Sequence, residues 1–395
     1  MTIAPARLSK IERQRSQDAP TILRFEFHEV VVPAKKGMIN SESLAKPLHM
    51  LPVAGRQSWS VQFDELPKLI LRMTLANGIV AISEFYRDHE WPRIQAICEG
   101  LIGTDISRLA LQDLPLPLVR DFDGFELAIW DGWAKTLGLP LYQLLGGKVQ
   151  DKVLCGAWSS HRTLDEVGPW VKQYQNQGYT CIKFKADLED DAVGWAEQIA
   201  RHAPGMKIIY DPNQRWENMA SVKPIIRGLE EIGNTLLLED PIPKWMIPDY
   251  ADLCRFSTIP ITQHIALPYV YQGQRVHDII ALIQQRAADG FNLLGGLSKF
   301  AQMNAVASAA NLPSFHGSEV DLGIMEAMYL HQAIAAKSCI WPSDIFGRMI
   351  REHDLLETPL RFEPPHAFVP EGPGLGVEID DAAIERYSVR REVFD

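Results

Sequence analysis

Four short apolar runs within residues 180–267 constrain the fold of this chain more than any other feature. Each run ends in a charged or imidazole side chain, and these end residues are Lys185, Asp211, Glu239 and His264. They follow one another at spacings of 26, 28 and 25 residues, a period that suits one β-strand and one return helix. Equivalent ends of parallel strands meet at the C-terminal mouth of a (β/α) barrel. The sequence therefore predicts a parallel barrel with a polar site at one mouth.

The first of these runs carries two lysines, Lys183 and Lys185, separated by Phe184. A carboxylate or cation after a single strand is more often a turn residue or a helix cap than a site residue. Here strand side chains alternate between faces, so both lysines point into the mouth while Phe184 points to the helices. Two ammonium groups inside a barrel are unfavourable unless anions or chemistry accompany them. This pair favours a functional site.

Several motifs occur in a fixed order along the chain, from about residue 21 to the end. The three that carry most weight are Lys183-Phe184-Lys185, Asp211-Pro212-Asn213 and Glu239-Asp240-Pro241. Residues 125–147, 315–324 and 369–377 add further matches. Together they resemble the enolase superfamily, in its mandelate racemase and muconate lactonizing enzyme branch.

The resemblance implies an α/β fold, a modified TIM barrel of (β/α)7β type with an α+β capping domain. We expect a flexible tail at residues 1–20, a capping domain at 21–147 completed by 360–395, and the barrel at 148–359. The 395 residues leave room for a barrel and a smaller unit. Asn77-Gly78 lies between two strand-like runs and predicts a hairpin in the cap.

Composition excludes some classes of partner. The net charge of −11 argues against nucleic acid, and no apolar run approaches the roughly 20 residues that a membrane helix needs. The five cysteines are scattered, which is typical of a reducing compartment. We expect a cytoplasmic protein with a small carboxylate substrate, and the resemblance implies a homo-oligomer.

Asp211, Glu239 and His264 form the predicted metal set. Two carboxylates and an imidazole from successive strand ends favour Mg²⁺, with Mn²⁺ also conceivable because of the histidine. His264 is a departure, because most of the resembled family has Glu, Asp or Asn at that place. Replacing a carboxylate by a neutral ring weakens Mg²⁺ binding unless neighbouring groups compensate.

The predicted chemistry removes the proton α to a substrate carboxylate and forms an enediolate that the metal stabilises. Lys185 is the candidate base, with its pKa lowered from about 10.4 by Lys183 and the metal. His316 is the candidate acid across the mouth, and protonation of a departing hydroxyl would dehydrate an acid sugar to a 2-keto-3-deoxy acid. The resemblance, together with the polar composition of residues 33–59, here called the cap loop, favours this reading.

Two alternatives stay open. A racemase, epimerase or cycloisomerase would share the first step; a cycloisomerase or racemase of a less polar acid predicts inward apolar residues on the cap loop, namely Met38, Leu48, Met50 and Leu51. A non-catalytic carboxylate-binding barrel predicts no stabilisation by metal.

Further candidates surround the predicted metal set. Asn213, Asp240 and Asp344 follow strand ends, and His49 and Arg56 lie on the polar loop that precedes the cap hairpin. The sixth strand is the weak point, because the place where the family usually has Asp or Lys falls on Gly290. Asp289 lies 27 residues before His316 and is either the missing acid or, as register favours, the start of the strand at the opposite end.

Overall fold

The structure is a computed structural model that describes residues 19–44, 52–53, 56–57, 67–87, 89–265 and 274–395. The predicted tail at 1–20 lies outside the described residues except for Ala19 and Pro20. His49, Leu48, Met50 and Leu51 also lie outside them.

An antiparallel sheet of four strands forms the cap, in the order β16-β1-β4-β5. Its strands are β1 (Ile22–Val30), β4 (Lys68–Leu75), β5 (Val80–Phe85) and β16 (Ser388–Phe394), and a separate pair is β2 (Pro52–Val53) with β3 (Arg56–Gln57). Gly78 has a φ of 86° and allows the tight turn that the sequence predicts between β4 and β5. The helices here are α1 (Trp91–Leu101), α2 (Phe122–Leu137) and α3 (Leu141–Leu144).

Seven parallel strands form the barrel wall in sequential order. They are β7 (Ala157–Ser159), β8 (Cys181–Lys185), β9 (Lys207–Asp211), β10 (Thr235–Glu239), β11 (Ile261–Ile265), β12 (Gly290–Leu293) and β13 (Ser314–His316). Residues 338–344 close the wall, because Ser338 O accepts from Ser314 N at 2.7 Å and Ser343 O accepts from Gly156 N at 3.0 Å. The predicted (β/α)7β barrel with an α+β cap is confirmed.

Helices return the chain between successive strands. They are α4 (Leu164–Asn176), α5 (Ala192–His202), α6 (Met219–Ile232), α7 (Ile247–Phe256), α8 (Arg275–Gln285), α9 (Leu297–Ala309) and α10 (Gly323–Ala335). Phe184 faces them, with its ring 5.4 Å from that of Trp195. The lysines on either side of Phe184 therefore face the barrel interior, as strand alternation requires.

The chain beyond the barrel returns to the cap. Its elements are α11 (Gly347–Ile350), β14 (Phe362–Glu363), β15 (His366–Ala367) and α12 (Asp381–Tyr387), followed by β16. β15 pairs with β6 (Val153–Leu154), the short strand that precedes the first barrel strand in the chain. β16 pairs antiparallel with β1. The first and last parts of the chain therefore share one sheet.

A buried charge network joins the cap to the barrel. Lys68 on β4 forms a hydrogen bond with Asp321, which lies beyond β13, and its Nζ lies 3.3 Å from Glu84 Oε1. All three side chains are buried. Buried charges are tolerated when they are paired in this way, so the network ties the cap sheet to the loop that follows the seventh strand.

Within the described residues, no helix combines the length and the apolar composition that crossing a membrane requires.

Candidate active site

An apolar layer inside the barrel forms the floor of the site. Cys181, Ile209, Leu237 and Phe315 pack together there, and each lies on a different strand. Lys183 lies directly above, with Nζ 5.8 Å from the centre of the Phe315 ring. Layered side chains of this kind close the barrel interior, so the polar groups above them face the mouth.

Lys183 lies among three carboxylates. Its Nζ is 2.7 Å from Asp344 Oδ2, 2.8 Å from Glu239 Oε2 and 3.0 Å from Asp211 Oδ2. Burial favours the neutral amine, but the carboxylates outweigh it and raise the pKa of Lys183 well above its usual value. Lys183 is therefore a fixed cation, and Asp344 is part of the site.

Lys185 is the second inward lysine and pairs with Asp211 alone among these carboxylates. Burial lowers the pKa of Lys185; the Asp211 carboxylate opposes this, and the neighbouring Lys183 cation adds to it. A lysine with a lowered pKa is the one that can accept a proton. The two lysines thus differ in the direction of their pKa shifts, and the role of Lys185 as a base stays a prediction.

Asp211 and Glu239 end adjacent strands and respond differently to the same burial. Burial alone would raise the pKa of Asp211, but the Lys183 and Lys185 ammonium groups hold it well below its usual range. Burial and the Asp211 carboxylate raise the pKa of Glu239 to about 8. Of these two carboxylates, Glu239 is therefore the one whose charge the protein compensates less.

His264 lies beside Glu239, with Nδ1 3.5 Å from Glu239 Oε1. Burial, and then the cations of Lys244 and Lys183, lower the pKa of His264 well below its usual value. The ring is therefore neutral, which is the form that binds metals. The structure thus places Asp211, Glu239 and His264 at or near the C-terminal ends of three successive strands, with His264 against Glu239.

The residues just after these strand ends hold them in position. Asn213 N donates to Asp211 Oδ1 at 3.0 Å. Asp240 Oδ1 accepts from His264 N at 3.0 Å, and Asp240 Oδ2 lies 3.2 Å from Lys244 Nζ. Asn213 and Asp240 both adopt positive φ values, 48° and 45°, a conformation that Asn and Asp tolerate better than most residues. They act as positioning residues.

Asn292 belongs to the site and has no counterpart among the sequence predictions. It lies on β12 in register with His264, and its Nδ2 donates to Glu239 Oε1 at 2.8 Å. Its Oδ1 is buried and accepts no hydrogen bond from the described residues. A Cβ on Gly317 would lie 2.2 Å from Asn292 Oδ1 and 2.9 Å from His264 Nε2, so glycine permits this approach. Strand alternation could have indicated Asn292 from the sequence, because it lies two residues after Gly290 and so faces the same side of the strand.

His316 does not face Lys185 across the mouth. Its ring packs between Phe300 and Tyr329 at centroid distances of 4.8 and 4.4 Å. Nδ1 lies 2.7 Å from Gly317 O, and Nε2 lies 2.8 Å from Gln332 Oε1. The expected placement was wrong because Phe315 is the inward residue of β13, and its neighbour must then face the helices.

Asp289 lies at the opposite end of the barrel from the site. It precedes β12, and its Oδ2 accepts from Ile261 N, at the start of β11, at 2.9 Å. It is therefore not the missing acid of the sixth strand. Arg56 lies on β3, in the small pair with β2, and the position of its side chain is outside the described part of the structure, as is His49.

An apolar cluster lies next to Lys183. Trp158 is in register with Lys183 on the adjacent strand, and its ring stacks on Phe346 at 4.4 Å. The other members of the cluster are Val320, Ile350, Met349, Met38 and Ile39. Met38 of the cap loop thus packs against this cluster; of the four apolar residues predicted to point inward in an enzyme of a less polar acid, it is the one within the described residues.

A second group of potential ligands lies elsewhere on the barrel. The side-chain ligand atoms of His161, Asp187 and Asp190 all lie within 4.8 Å of one another. These residues follow β7 and β8 and are distinct from the predicted metal set.

Comparison with known proteins identifies the family. The family model described as enolase C-terminal domain-like matches residues 166–383, more than half of the chain. The chain belongs to the enolase superfamily. Its similar proteins place it in the mandelate racemase/muconate lactonizing enzyme branch.

Three similar proteins have different activities. Muconate cycloisomerase 1 of Rhodococcus opacus is 29% identical over 274 residues, covering 67% of this chain and 70% of the relative. L-Ala-D/L-Glu epimerase of Bacillus subtilis (strain 168) is 29% identical over 262 residues, covering 64% and 69%. A probable glucarate dehydratase of Streptomyces coelicolor is 24% identical over 365 residues, covering 80% and 83%.

Among solved structures, the dipeptide epimerase of Cytophaga hutchinsonii, complexed with Mg and the dipeptide D-Ala-L-Val, superposes with a TM-score of 0.77. It is 19% identical, and the match covers 95% of this chain and 100% of that one. This likeness shows the shared fold.

Enolase-superfamily members use a divalent metal, usually Mg²⁺, and Asp211, Glu239 and His264 are side chains of the types that bind such an ion. Asp211 and Glu239 supply carboxylates, His264 supplies a neutral imidazole, and the buried Oδ1 of Asn292 lies beside them. The raised pKa of Glu239 shows a carboxylate that a nearby divalent cation would stabilise.

Proposed function

We propose that this enzyme isomerises a small carboxylic acid by moving a proton at its α-carbon with a single base, Lys185. The observation that carries the proposal is the difference between the two sides of the mouth. The proposed reaction is of the cycloisomerase kind. This replaces acid-sugar dehydration as the favoured reading.

The side of the mouth opposite the lysines offers no second base among the described residues. Inward positions there carry Asn292, Phe315 and Gly317, and none of these groups accepts a proton at neutral pH. His316 lies behind them with both ring nitrogens engaged. Inversion at the α-carbon needs proton transfer on both faces, whereas one base can add or remove a proton on one face only.

A cycloisomerisation needs only that one face. In the ring-forming direction, one substrate carboxylate oxygen adds to a C=C bond conjugated with a second carboxylate. The α-carbon then takes a proton from the Lys185 ammonium group, and the lactone isomer results. In the reverse direction, neutral Lys185 removes that proton and the C–O bond breaks. Atoms and charge balance without another reactant.

Lys183 and the carboxylates have supporting roles in this proposal. Asp211, Glu239 and His264 would hold a divalent metal, most simply Mg²⁺, with Mn²⁺ as an alternative. When bound, the metal stabilises negative charge on the substrate carboxylate during proton transfer. Lys183 supplies a permanent positive charge beside Lys185 and lowers the pKa of Lys185. Lys183 itself is fixed among Asp211, Glu239 and Asp344.

The surroundings of the base favour an apolar substrate body over a sugar chain. The stacked Trp158 and Phe346, with Met38 packed against them, are apolar side chains next to Lys183, so this side of the base offers few partners for the hydroxyl groups of a sugar. Dehydration of a sugar also needs a group that protonates the departing hydroxyl, and His316 is turned away from the mouth. The muconate cycloisomerase relative agrees with this reading.

A substrate screen with Mg²⁺ or Mn²⁺ tests the proposal. The panel is cis,cis-muconate, N-succinylamino acids, Ala–Glu dipeptides, and mono- and diacid sugars. We expect lactone formation from the unsaturated diacid, its loss in Lys185→Ala, and its retention in Lys207→Ala, which changes an exposed lysine at the start of β9.

Other products would overturn the proposal. Formation of a 2-keto acid from a sugar would restore the dehydratase reading, and inversion of a dipeptide or succinylamino acid would indicate an epimerase or racemase. No product and no metal-induced rise in melting temperature would leave a carboxylate-binding barrel. The expected homo-oligomer and cytoplasmic location stay predictions.

A further inference from the structure

We propose that His161, Asp187 and Asp190 form a second divalent-cation site, separate from Asp211, Glu239 and His264. His161 follows the first barrel strand, and the two aspartates follow the second. The new site therefore lies on the rim of the mouth, where the cap loop meets the barrel. It does not depend on which reaction the enzyme catalyses.

One ring nitrogen of His161 is held by a carboxylate. Nδ1 lies 2.6 Å from Asp190 Oδ2, so the ring donates its Nδ1–H to that oxygen. The same oxygen accepts from Asp187 N at 2.7 Å, which fixes Asp190 in position. The His161 side chain is fully buried. Metal-binding histidines commonly donate the N–H of the second ring nitrogen to a carboxylate in this way. This hydrogen bond selects the tautomer whose other nitrogen binds the metal.

The other nitrogen of His161 points at Asp187. Nε2 forms no hydrogen bond with the described residues and lies 3.9 Å from Asp187 Oδ2. The other oxygen of Asp187 pairs with Arg215, so Oδ2 is the one directed at the ring. Nε2 thus faces a carboxylate oxygen from beyond hydrogen-bond distance, and a cation bound by both atoms would join them.

The separation of these two atoms suits a shared metal ion. Ligands about 2.1 Å from a tetrahedral ion lie roughly 3.5 Å apart, close to the 3.9 Å between Nε2 and Oδ2. A hydrogen bond would require a shorter distance. An imidazole with carboxylates favours Zn²⁺ or Mn²⁺ over Mg²⁺. Asp187 and His161 would be direct ligands, and Asp190 would orient the ring.

The site would also stabilise the cap loop. The backbone of His161 bonds to that loop on both sides, because His161 O accepts from Ser41 N at 3.0 Å and His161 N donates to Asn40 Oδ1 at 3.2 Å. A cation on His161 would therefore hold the ends of two strands and, through this backbone, Asn40 and Ser41 of the cap loop.

His353 provides a matched control. It also lies between two carboxylates, with Nε2 3.7 Å from Asp380 Oδ2 and Nδ1 4.0 Å from Asp354 Oδ1. However, its Nδ1 accepts from Leu355 N at 2.9 Å, so its Nε2 carries the proton and faces Asp380 as a donor. Its two nitrogens are thus accounted for without a metal.

The test is the number of Zn²⁺ ions bound per chain after equilibrium dialysis, with Mn²⁺ as a second probe. We expect two for the parent and for His353→Gln, and one for His161→Gln and for Asp187→Asn. Glu239→Gln should retain one, which is lost when His161→Gln is added. Circular dichroism melts establish that each variant is folded, and the isosteric Asp187→Asn covers the case in which His161→Gln does not fold.

Three results would overturn the proposal: one ion in the parent, two ions in both the His161 and Asp187 variants, or no ion in Glu239→Gln. If the parent binds one ion, we expect nitrogen NMR to show His161 as a doubly protonated ring that bridges the two aspartates. Because zinc stoichiometry does not require turnover, failure here is distinguishable from failure of the proposed function.

Discussion

The two sides of the barrel mouth are built from the same kind of strand but carry opposite kinds of side chain. Strands β8 to β10 present Lys183, Lys185, Asp211 and Glu239, which are buried and paired with one another. Strands β12 and β13 present Asn292 and Phe315, which are equally buried and uncharged. The fold therefore does not determine the chemistry, which depends on the few inward positions of each strand.

The charged side is stable because its charges compensate one another. A buried ion lacking a partner is strongly unfavourable, while a paired network is tolerated. The neutral side needs no such compensation. This asymmetry gives each substitution below a predictable effect, and the effects decrease from the charged side to the neutral side.

Removing the base should have the largest effect. Lys185→Ala is expected to slow α-proton transfer by about 10²–10⁴-fold, the usual contribution of a positioned proton-transfer group. Hydrogen–deuterium exchange at the substrate α-carbon measures it directly, and Lys207→Ala is the control. Equal loss in both variants would show damage to the fold, and no loss in Lys185→Ala would remove the base from this side.

Removing the fixed cation should mainly destabilise the protein. Lys183→Met leaves Asp211, Glu239 and Asp344 buried with one fewer positive partner, which costs about 3–5 kcal/mol. Urea denaturation measures this, with Lys207→Met as the control. We expect Mg²⁺ to recover part of the lost stability, because a divalent cation would replace the missing charge. An unchanged midpoint would mean that the carboxylates do not depend on Lys183.

On the neutral side, Asn292→Leu should weaken metal binding. It removes the hydrogen bond from Nδ2 to Glu239, and lost support of a ligand typically lowers affinity about 10–100-fold. Calorimetric titration with Mg²⁺ is the measurement. Asn304→Leu is the control, because it loses bonds from Ser338 away from the site. Equal affinities in both variants would remove Asn292 from the site.

His316→Gln should change turnover least. The ring touches Phe300 and Tyr329 and faces away from the mouth, so we expect a rate within about tenfold of the parent and a stability loss of about 1–3 kcal/mol. A loss of rate as large as that of Lys185→Ala, in a folded variant, would return His316 to the catalytic machinery.

His316→Gln should also make the stability of the folded protein less sensitive to low pH. Burial lowers the pKa of His316 to about 4 in the folded protein, whereas the unfolded chain binds that proton near pH 6.5. As the pH falls from about 6.5 to about 4, the unfolded state gains the proton first and stability decreases, by about 3 kcal/mol for this group. Denaturation at pH 7 and pH 4.5 should show a smaller decrease for His316→Gln than for His353→Gln.

The sequence predicted the positions of the charged side chains at the mouth better than those of the neutral ones, for one physical reason. A period of 25 to 28 residues indicates how often strands recur but not which residue of each strand faces inward. On β8, two lysines flanking a phenylalanine made the inward face unambiguous. Asp289 and His316 lie 27 residues apart, yet one begins its strand and the other faces the helices.

Neutral site residues and contacts between distant parts of the chain were also beyond the sequence. Asn292 carries no charge to mark it, and its strand has only four residues in which to read alternation. The contact between Lys68 and Asp321 joins positions 253 residues apart. Such contacts depend on how the cap packs on the barrel, which no local pattern encodes.

The stereochemistry of α-proton exchange tests the single-base account most directly. Muconolactone and one enantiomer of an N-succinylamino acid would be incubated with the enzyme and Mg²⁺ in deuterium oxide and followed by NMR and chiral chromatography. With Lys185 as the single base, we expect exchange of only one of the two lactone α-hydrogens. Where deuterium enters the amino acid, we expect its configuration to be retained. Exchange of both hydrogens, or inversion of the amino acid, would contradict it, because a second proton-transfer group would then face Lys185.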